Sequence, residues 1–381
     1  MSEVSASGES KVAQDHLVYE SLLTASNNAQ PHREGMTLEE FDSAVTDPLV
    51  ATTAVTAGET TAAIPQLCPI SKFEWLNSAF YEGKFPEQMM RGDVMHFADF
   101  KGVEPSEQVV SRLRKLAEVN GVIAIDFPGD LDPEYPQRVL DFLGGIGVGV
   151  EEIQELGTQT YYAGQVTLKR DHPKRDEPLG LIGSFEQKVN EGSYDLTRMQ
   201  NGASLLTTVD EAQADFMNGF YDKAFQEING SSPVRQGLTP EEFRDMVVHD
   251  HDVAKIVSST DGRVTALCIM GEDLDKFDWV NPEYFEATLP DRARNKQIIY
   301  FPAIAADPEH VGDNTKKIVG LIAELVETGD NEIVVAFDCC DLNKGFLDVF
   351  LQDMINNTPE ATIDFKTVAT QRFWSIGLKA A

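Results

Sequence analysis

Basic residues are scarce in this chain, which has 31 lysines and arginines against 63 aspartates and glutamates and a formal net charge of −32. A nucleic-acid surface needs many Lys and Arg side chains to neutralise phosphates. The densest basic cluster, Lys169 to Arg175, is interrupted by Asp171, and we interpret it as a solvated linker. The composition therefore argues against nucleic acid as the main partner, and the same acidity disfavours an anionic membrane surface.

Long apolar runs and cysteines are also few. No stretch approaches the roughly 18 apolar residues that a membrane span needs, and residues 1–14 lack the apolar core of a secretory signal. Four cysteines in 381 residues do not make a disulfide framework, and the adjacent pair Cys339 and Cys340 does not suit a zinc clip. We therefore expect a cytoplasmic protein that binds no metal and does not interact with a membrane.

The chain contains one long pattern twice. Residues 33–41 match residues 235–243, and residues 72–77 match residues 276–281, each of the latter pair containing a tryptophan. The order then continues through His96 with Tyr300 to Gln159 with Gln371. The offset drifts only from 202 (235 − 33) to 212 (371 − 159). Such a repeat is too long for a solenoid unit. We therefore predict two domains, residues 1–169 and 204–381, joined by a linker at 170–203.

Hydrophobic periodicity in the second repeat predicts the element order β-α-α-β-β-β-α-β-α-β-β. A helix follows Asp210 with Phe216 and Phe220 on its apolar face, and Thr239 opens the next helix with a capping box. An Asp-Gly pair at 261–262 predicts a hairpin, and two closing strands are expected at 362–369 and 373–378. The predicted fold class is α/β, with a mixed, mostly antiparallel sheet and one crossover helix between two central strands.

This order, the Asp-Gly hairpin and the run from Ile304 to Gly312 resemble the GNAT superfamily of acyl-CoA-dependent N-acyltransferases. The resemblance implies two tandem GNAT-like domains forming a pseudo-dimer. It also implies acyl transfer from acyl-CoA or another acyl thioester to an amine of a small molecule or peptide. Because the second repeat retains Gly312, we expect the C-terminal domain to be the active one and the N-terminal domain to be degenerate.

The same resemblance implies roles for particular residues. The expected catalytic residues are Tyr300, Asp341 and Asn343. The expected donor-binding residues lie at the end of the central strand and in the loop after it: Ile304, Ala305, Ala306, Gly312, Asn314 and Thr315. Asp341 or Asn343 could instead simply cap the following helix. Trp75 and Trp279 are either buried structural aromatics or walls of an apolar pocket.

The phosphate-binding loop departs from the family pattern of Arg/Gln-x-x-Gly-x-Gly/Ala. Residues 310–315 hold one glycine and an acid, Asp313, which would repel a pyrophosphate bound to bare N–H groups at a helix N-terminus. In the first repeat, Pro105 removes one such donor. Two hypotheses therefore stay open: an acyltransferase, and a non-catalytic binding or assembly module on the same fold. The glycines at 144–149 do not fit a dinucleotide fingerprint, and we expect a flexible loop there.

Overall fold

A computed structural model describes most of the chain. The described residues are 11–19, 36, 38–57, 60–73, 75–98, 103–129, 132–168, 203–206, 209–250, 253–260, 263–277, 279–307, 316, 318–320, 322, 332–357 and 361–381. The predicted linker at 170–203 therefore lies almost wholly outside the described residues. Within the described part, no helix is long and apolar enough to cross a membrane.

The chain forms two compact units, and neither is a continuous stretch of sequence. The first unit contains residues 1–159, 230–235 and 369–381, and the second unit contains residues 160–229 and 236–368. In the first unit, residues 230–235 are held by hydrogen bonds from Asn77 Nδ2 to the Ser232 carbonyl at 2.7 Å and from the Arg235 N–H to the Trp75 carbonyl at 3.0 Å. The domain boundaries at 169 and 204 stay a prediction about the repeats along the chain.

The first unit is a mixed sheet with helices on it. Strands β1 and β2 are antiparallel, β3 and β4 are parallel, and the second part of β11 runs antiparallel to β4 from Gln371 opposite Pro128 to Gly377 opposite Val122. The crossover between the parallel strands is α5, whose inner face is apolar at helical spacing. The elements are α1 (11–19), α2 (Leu38–Val45), β1 (Ala51–Ala57), β2 (Thr60–Pro69), α3 (Ser78–Lys84), α4 (Pro86–Arg91), β3 (Val94–Phe97), α5 (Glu107–Glu118), β4 (Val122–Pro128), α6 (Tyr135–Gly145), β5 (Val148–Leu168) and β11 (Ala361–Ala380).

The second unit repeats this plan. Strands β6, β7, β8 and β9 are successively antiparallel, and β9 and β10 are parallel. Between these last two strands, residues 316, 318–320 and 322 are helical, as predicted for the crossover. The elements are β6 (Ala203–Leu206), α7 (Glu211–Asn229), α8 (Pro240–Arg244), β7 (Val253–Thr260), β8 (Arg263–Gly271), α9 (Pro282–Thr288), α10 (Pro290–Arg294), β9 (Ile298–Ala306), β10 (Glu332–Cys340) and α11 (Lys344–Asn357).

The mixed α/β fold class is therefore confirmed. Each unit buries apolar side chains in two clusters, one of which in the first unit includes Phe373 and the other Ile376. The capping box at Thr239 is present, with its hydroxyl and the Glu242 side chain each bonding the other residue's N–H. The hairpin also forms, because Thr260 and Arg263 are paired across the predicted turn.

Three local predictions were wrong. The two closing strands are one continuous strand, β11, because Gln371 at the expected break is buried and hydrogen-bonded. The inner face of α7 carries Tyr221 rather than Phe216, which is 55% exposed. The glycines at 144–149 do not form a flexible loop, since α6 runs to Gly145 and β5 begins at Val148. Only Gly147, with φ of 72°, needs the left-handed conformation that glycine allows.

Candidate functional site

The parallel ladder between β9 and β10 is short. It runs from Ile298 opposite Val334 to Tyr300 opposite Ala336, whereas β9 continues to Ala306 and β10 to Cys340. Beyond Tyr300, the described residues of these two strands have no register with each other. Ligands of α/β sheets commonly bind at the carboxyl ends of such strands. The second unit therefore offers a candidate site where β9 and β10 part, and we call it the strand gap.

A β-bulge lies where the ladder ends. Ile269 is opposite Ala303 and Gly271 is opposite Tyr300, so two steps along β8 correspond to three along β9. The extra residue falls at Phe301 or Pro302. Proline has no N–H to donate to a ladder and is tolerated in sheets at bulges. Pro302 therefore favours a bend of β9 immediately after Tyr300.

The bulge also decides which backbone groups face the gap. The Asp307 N–H donates to the Thr265 carbonyl at 2.8 Å, so Asp307 and Thr265 are a hydrogen-bonded pair at the end of the antiparallel β8–β9 ladder. Because such pairs alternate along an antiparallel ladder, Ala305 also bonds towards β8. Ile304 and Ala306 therefore direct their N–H and C=O groups away from β8, to the side on which β10 is the neighbouring strand. Of the three expected donor-binding residues on this strand, Ile304 and Ala306 direct their backbone groups to this side, where the described residues of β10 have no register with β9.

Tyr300 joins the two central strands at the base of the gap. Its hydroxyl accepts a hydrogen bond from Trp279 Nε1 at 2.8 Å and donates one to the Asp338 carboxylate. Asp338 lies two residues beyond Ala336, the strand partner of Tyr300. The Tyr300 ring is buried, with 3% of its surface exposed, and packs against Phe277 and Trp279.

This environment keeps the phenol neutral. Burial, followed by the nearby Asp338 carboxylate, raises the pKa of Tyr300 well above its usual value. The carboxylate accepts hydrogen bonds only, so it fixes the hydroxyl proton towards β10. Tyr300 is therefore suited to donating a hydrogen bond and not to acting as a base at neutral pH. The tryptophans of the two repeats are partly buried, and in this unit the indole positions the phenol.

Asp341 and Asn343 follow directly after β10, in the 3₁₀ turn Asp341–Asn343 that leads into α11. Asp341 is exposed and Asn343 is partly buried. Cys339 and Cys340 precede the turn, and burial raises the pKa of both thiols, which fits inert packing better than an acyl carrier. The other three expected donor-binding residues, Gly312, Asn314 and Thr315, lie outside the described residues.

The first unit has a counterpart of the Tyr300 cluster. His96, the last residue of β3 that is paired with β4, is opposite Ala124, and Asp126 lies two residues beyond. His96 Nε2 is 2.5 Å from Asp126 Oδ1, and Gln371 Nε2 donates to Asp126 Oδ2 at 2.7 Å. Trp75 packs edge-on against His96, with ring centroids 5.8 Å apart. Both repeats thus place an aspartate and a tryptophan around the same strand position.

Two polar atoms of this first cluster lack hydrogen-bond partners among the described residues. They are His96 Nδ1 and Trp75 Nε1, and both are buried. In the second unit the equivalent indole donates to Tyr300 Oη. The replacement of a phenol by an imidazole removed the oxygen that accepts the tryptophan N–H.

The first unit also closes the helix end that would receive a phosphate. Ser106 Oγ accepts from the Val109 N–H at 3.3 Å and donates to the Thr52 carbonyl at 2.6 Å, and the Ser106 N–H donates to Thr53 Oγ1 at 3.0 Å. The N-terminus of α5 is therefore capped by its own chain and tied to β1. Since free N–H groups at this end are what an anion requires, the first unit does not fit a coenzyme pyrophosphate.

The sequence analysis missed Asp126, Asp338 and the pairing role of Gln371. A signal was present, because both repeats carry an aspartate inside the apolar run that forms the later central strand. We assigned neither acid a role. A polar residue that recurs at the same place in two copies of a buried strand is better explained as part of a buried cluster.

Comparison with known proteins finds similarity of fold only. No family model and no curated protein sequence matches the chain. Among solved structures, a tandem GNAT protein from the clavulanic acid biosynthesis pathway is similar at 11% identity, covering 96% of this chain and 94% of that one, with a TM-score of 0.41. A GCN5-related N-acetyltransferase from Sphaerobacter thermophilus is 11% identical over 71% of this chain and 64% of that one, with a TM-score of 0.34.

A third similar structure is a GCN5-related N-acetyltransferase from Kribbella flavida, 10% identical over 88% of this chain and 93% of that one, with a TM-score of 0.31. The element order, the short parallel ladder and the crossover helix occur in both units of our chain. The two units therefore share one mixed α/β plan, and the solved structures to which the chain is similar are described as GNAT proteins. In the described residues, no group of three or more His, Cys, Asp or Glu side chains is arranged to hold a metal ion.

Proposed function

We propose that the second unit binds an acyl thioester, such as acyl-CoA, in the strand gap and transfers the acyl group to an amine. The observation that carries this proposal is the edge of β9 at Ile304 and Ala306, which has no register with β10 in the described residues, with the Tyr300–Asp338 pair at its base. An extended amide-containing donor can add to such an edge as an additional strand does. The first unit has no described strand segment of this kind, because β3 ends at Phe97.

In this proposal the backbone N–H of Ile304 or Ala306 polarises the thioester carbonyl. A fixed N–H directed at the developing oxyanion stabilises it without reorganisation during the reaction. Tyr300, held by Trp279, keeps its phenol neutral and oriented towards the gap between the central strands. Its role is to position Asp338 and to exclude water from the base of the gap.

The proton of the attacking amine needs an acceptor. Asp338 is the carboxylate nearest the end of the ladder, and we assign it as the base, directly or through a water molecule. Asp341 and Asn343 remain proposed contacts of the donor or acceptor at the end of β10. The neutral form of the amine attacks, so a cationic acceptor first loses one proton to solvent. As the nitrogen bonds to the acyl carbon and passes its second proton to Asp338, the carbon–sulfur bond breaks. The thiolate leaves and takes up a proton from Asp338 or water.

The acceptor is expected to be a cationic amine of a small molecule or peptide. The net charge of −32 gives the protein a negative field that concentrates cations and raises their encounter rate. That attraction weakens with salt, so KM for the acceptor should rise with ionic strength while kcat changes little.

The test compares matched substitutions in the two repeats. Asp338→Asn keeps the size of the side chain and an acceptor for the Tyr300 hydroxyl but removes the base. We expect it to lower kcat/KM about 100-fold or more in a thiol-release assay with acetyl-CoA and a panel of polyamines and lysine peptides. Asp126→Asn, in the first unit, should leave kcat/KM unchanged. Equal losses in both variants, or none in either, would contradict the assignment of the site to the second unit.

The non-catalytic module remains the second candidate, and the capped N-terminus of α5 favours it for the first unit. A first unit that cannot accept a pyrophosphate is suited to a structural or binding role. If acetyl-CoA binds the second unit but no amine in the panel releases its thiol, the binding module is favoured for the whole chain.

A further inference from the structure

The first unit contains a cavity of about 390 Å³ beside the carboxyl end of β4. Phe127 and Trp374 form its aromatic wall, and α6 contributes Pro136 and Leu140. The two aromatic rings meet edge to face, with centroids 5.9 Å apart. The volume lies within the range of small-molecule sites. The cavity is separate from the strand gap of the second unit, and its argument does not depend on acyl transfer.

Arg372 is the charged residue among those that line this cavity. Its side chain lies over Gly129, where an added Cβ would come within 2.9 Å of Arg372 Nε. Glycine at 129 therefore permits the guanidinium stem to lie against the turn after β4. The loop supports this placement, because the Gly129 N–H donates to the Thr370 carbonyl at 2.8 Å.

Among the described residues, the guanidinium is only loosely neutralised. Arg372 Nη1 is 4.0 Å from Glu155 Oε1, and both side chains are nearly half exposed, at 45% and 48%. Exposed pairs at such a distance contribute little. By contrast, Arg138 on α6 is fully engaged, with both of its terminal nitrogens 2.7 Å from the Asp132 carboxylate. In a chain with twice as many acids as bases, an arginine left on an apolar cavity is unusual.

We propose that this cavity binds a small carboxylate with an aromatic or branched apolar body. The apolar body would lie between Phe127, Trp374 and the α6 side chains, and the carboxylate would pair with the Arg372 guanidinium. Arginine suits this role because its planar donors match the two oxygens of a carboxylate. The ligand carboxylate would replace Glu155 as the partner of Arg372, because the Arg372–Glu155 contact is longer than a direct hydrogen bond and is exposed to solvent.

Benzoate and benzamide are the matched probes, since they share size and ring and differ in charge. We expect calorimetry at neutral pH to show benzoate binding about 10- to 100-fold tighter than benzamide, the range of a charge-assisted pair. Arg372→Gln should remove this preference, and Arg138→Gln, the control cation on α6, should leave it intact. Glu155→Gln should strengthen benzoate binding a few-fold, because it removes the competing carboxylate.

A melting curve and circular dichroism of each variant establish that it is folded. Gly129→Ala provides an independent variant, because its methyl group displaces the Arg372 side chain, and it should weaken benzoate more than benzamide. Three results would overturn the proposal: no binding of benzoate at millimolar concentration, equal affinities for the two probes, or an unchanged preference in Arg372→Gln.

Discussion

The two units place an aspartate at the same position of the same strand but surround it differently. In the second unit, Asp338 accepts from Tyr300, whose oxygen is also bonded by Trp279. In the first unit, Asp126 is shared by His96 and Gln371, and the tryptophan N–H has no partner among the described residues. Duplication therefore preserved the framework of the cluster while its polar side chains diverged.

The strands that carry Tyr300 and His96 also differ in length. β9 runs on for six residues beyond Tyr300, to Ala306, whereas β3 ends one residue after His96, at Phe97. The helix after β3 has its N-terminus capped by Ser106. In the described residues, β9 therefore extends beyond its ladder with β10, whereas the N-terminus of α5 is capped by its own chain.

The largest expected effect comes from removing residues 369–381. This segment pairs with β4 and buries Phe373, Ile376 and Leu378 in the first unit. At about 1.5–3 kcal/mol per buried side chain, the first unit should lose on the order of 5 kcal/mol or more and unfold. Hydrogen exchange should show lost protection in β3 and β4 and retained protection in β7 and β8.

The control deletion removes only Ala380 and Ala381 and should be neutral. Full protection of β4 in the longer deletion would show that the first repeat closes its sheet without this strand.

A second prediction concerns Lys255, which is buried on β7 where the first repeat has Thr53. Desolvation lowers the pKa of Lys255 to about 8 in the folded protein, although Asp250 opposes the shift. The unfolded chain therefore binds more protons between pH 8 and the ordinary pKa of 10.5, so this group makes stability rise with pH across that window.

Lys255→Met should accordingly stabilise the second unit at pH 7 by about 1–2 kcal/mol, a figure discounted for partial solvation of the amine. The gain should shrink between pH 8 and 10.5. Urea unfolding at several pH values measures it. A gain that does not vary with pH would mean that better packing, and not relief of a desolvated charge, is responsible.

The smallest effect is expected from a matched tryptophan pair. Trp279→Phe removes the N–H that donates to Tyr300, whereas Trp75→Phe removes an N–H without a partner in the described part of the chain. Both changes leave a similar void, so their difference isolates the hydrogen bond. We expect Trp279→Phe to be the more destabilising by about 1 kcal/mol in chemical denaturation. Equal losses would indicate that the Trp279 bond contributes nothing net.

The sequence was informative where signals are local. The capping box at Thr239, the hairpin at 261–262 and the apolar strand before Asp338 each follow from residues close together in the chain. The membership of residues 230–235 and 369–381 in the first unit could not be predicted, because periodicity identifies a strand but not the sheet that it joins. The face of α7 was misassigned because Phe216 and Phe220 suggested a four-residue spacing, whereas the buried Ala214, Met217 and Tyr221 alternate between three and four.

The candidate site could be predicted only in part, because only some of its residues are marked by local sequence signals. Tyr300 was assigned a role through the resemblance to the GNAT superfamily, and it corresponds to His96 in the repeated pattern. Asp338 was missed because an acid at the end of an apolar run is usually a strand boundary. Which of Ile304, Ala305 and Ala306 directs its backbone groups to the gap depends on the bulge at Phe301 or Pro302. This alternation can be assigned only from the register with β8.

Donor binding at the open edge of β9 tests the central claim most directly. Asp313 in the predicted phosphate-binding loop would repel the pyrophosphate of a coenzyme. Two like unit charges about 4 Å apart repel by about 4 kcal/mol at an effective dielectric of 20. We therefore expect wild-type protein to bind acetyl-CoA weakly, and Asp313→Gly to bind it about 10- to 100-fold more tightly after allowance for screening. In that background, Ala306→Pro removes the N–H that faces the gap and should abolish binding, while Ala306→Gly, which keeps the N–H, should not. Calorimetry that shows no binding by Asp313→Gly, or undiminished binding by its Ala306→Pro derivative, would contradict the account.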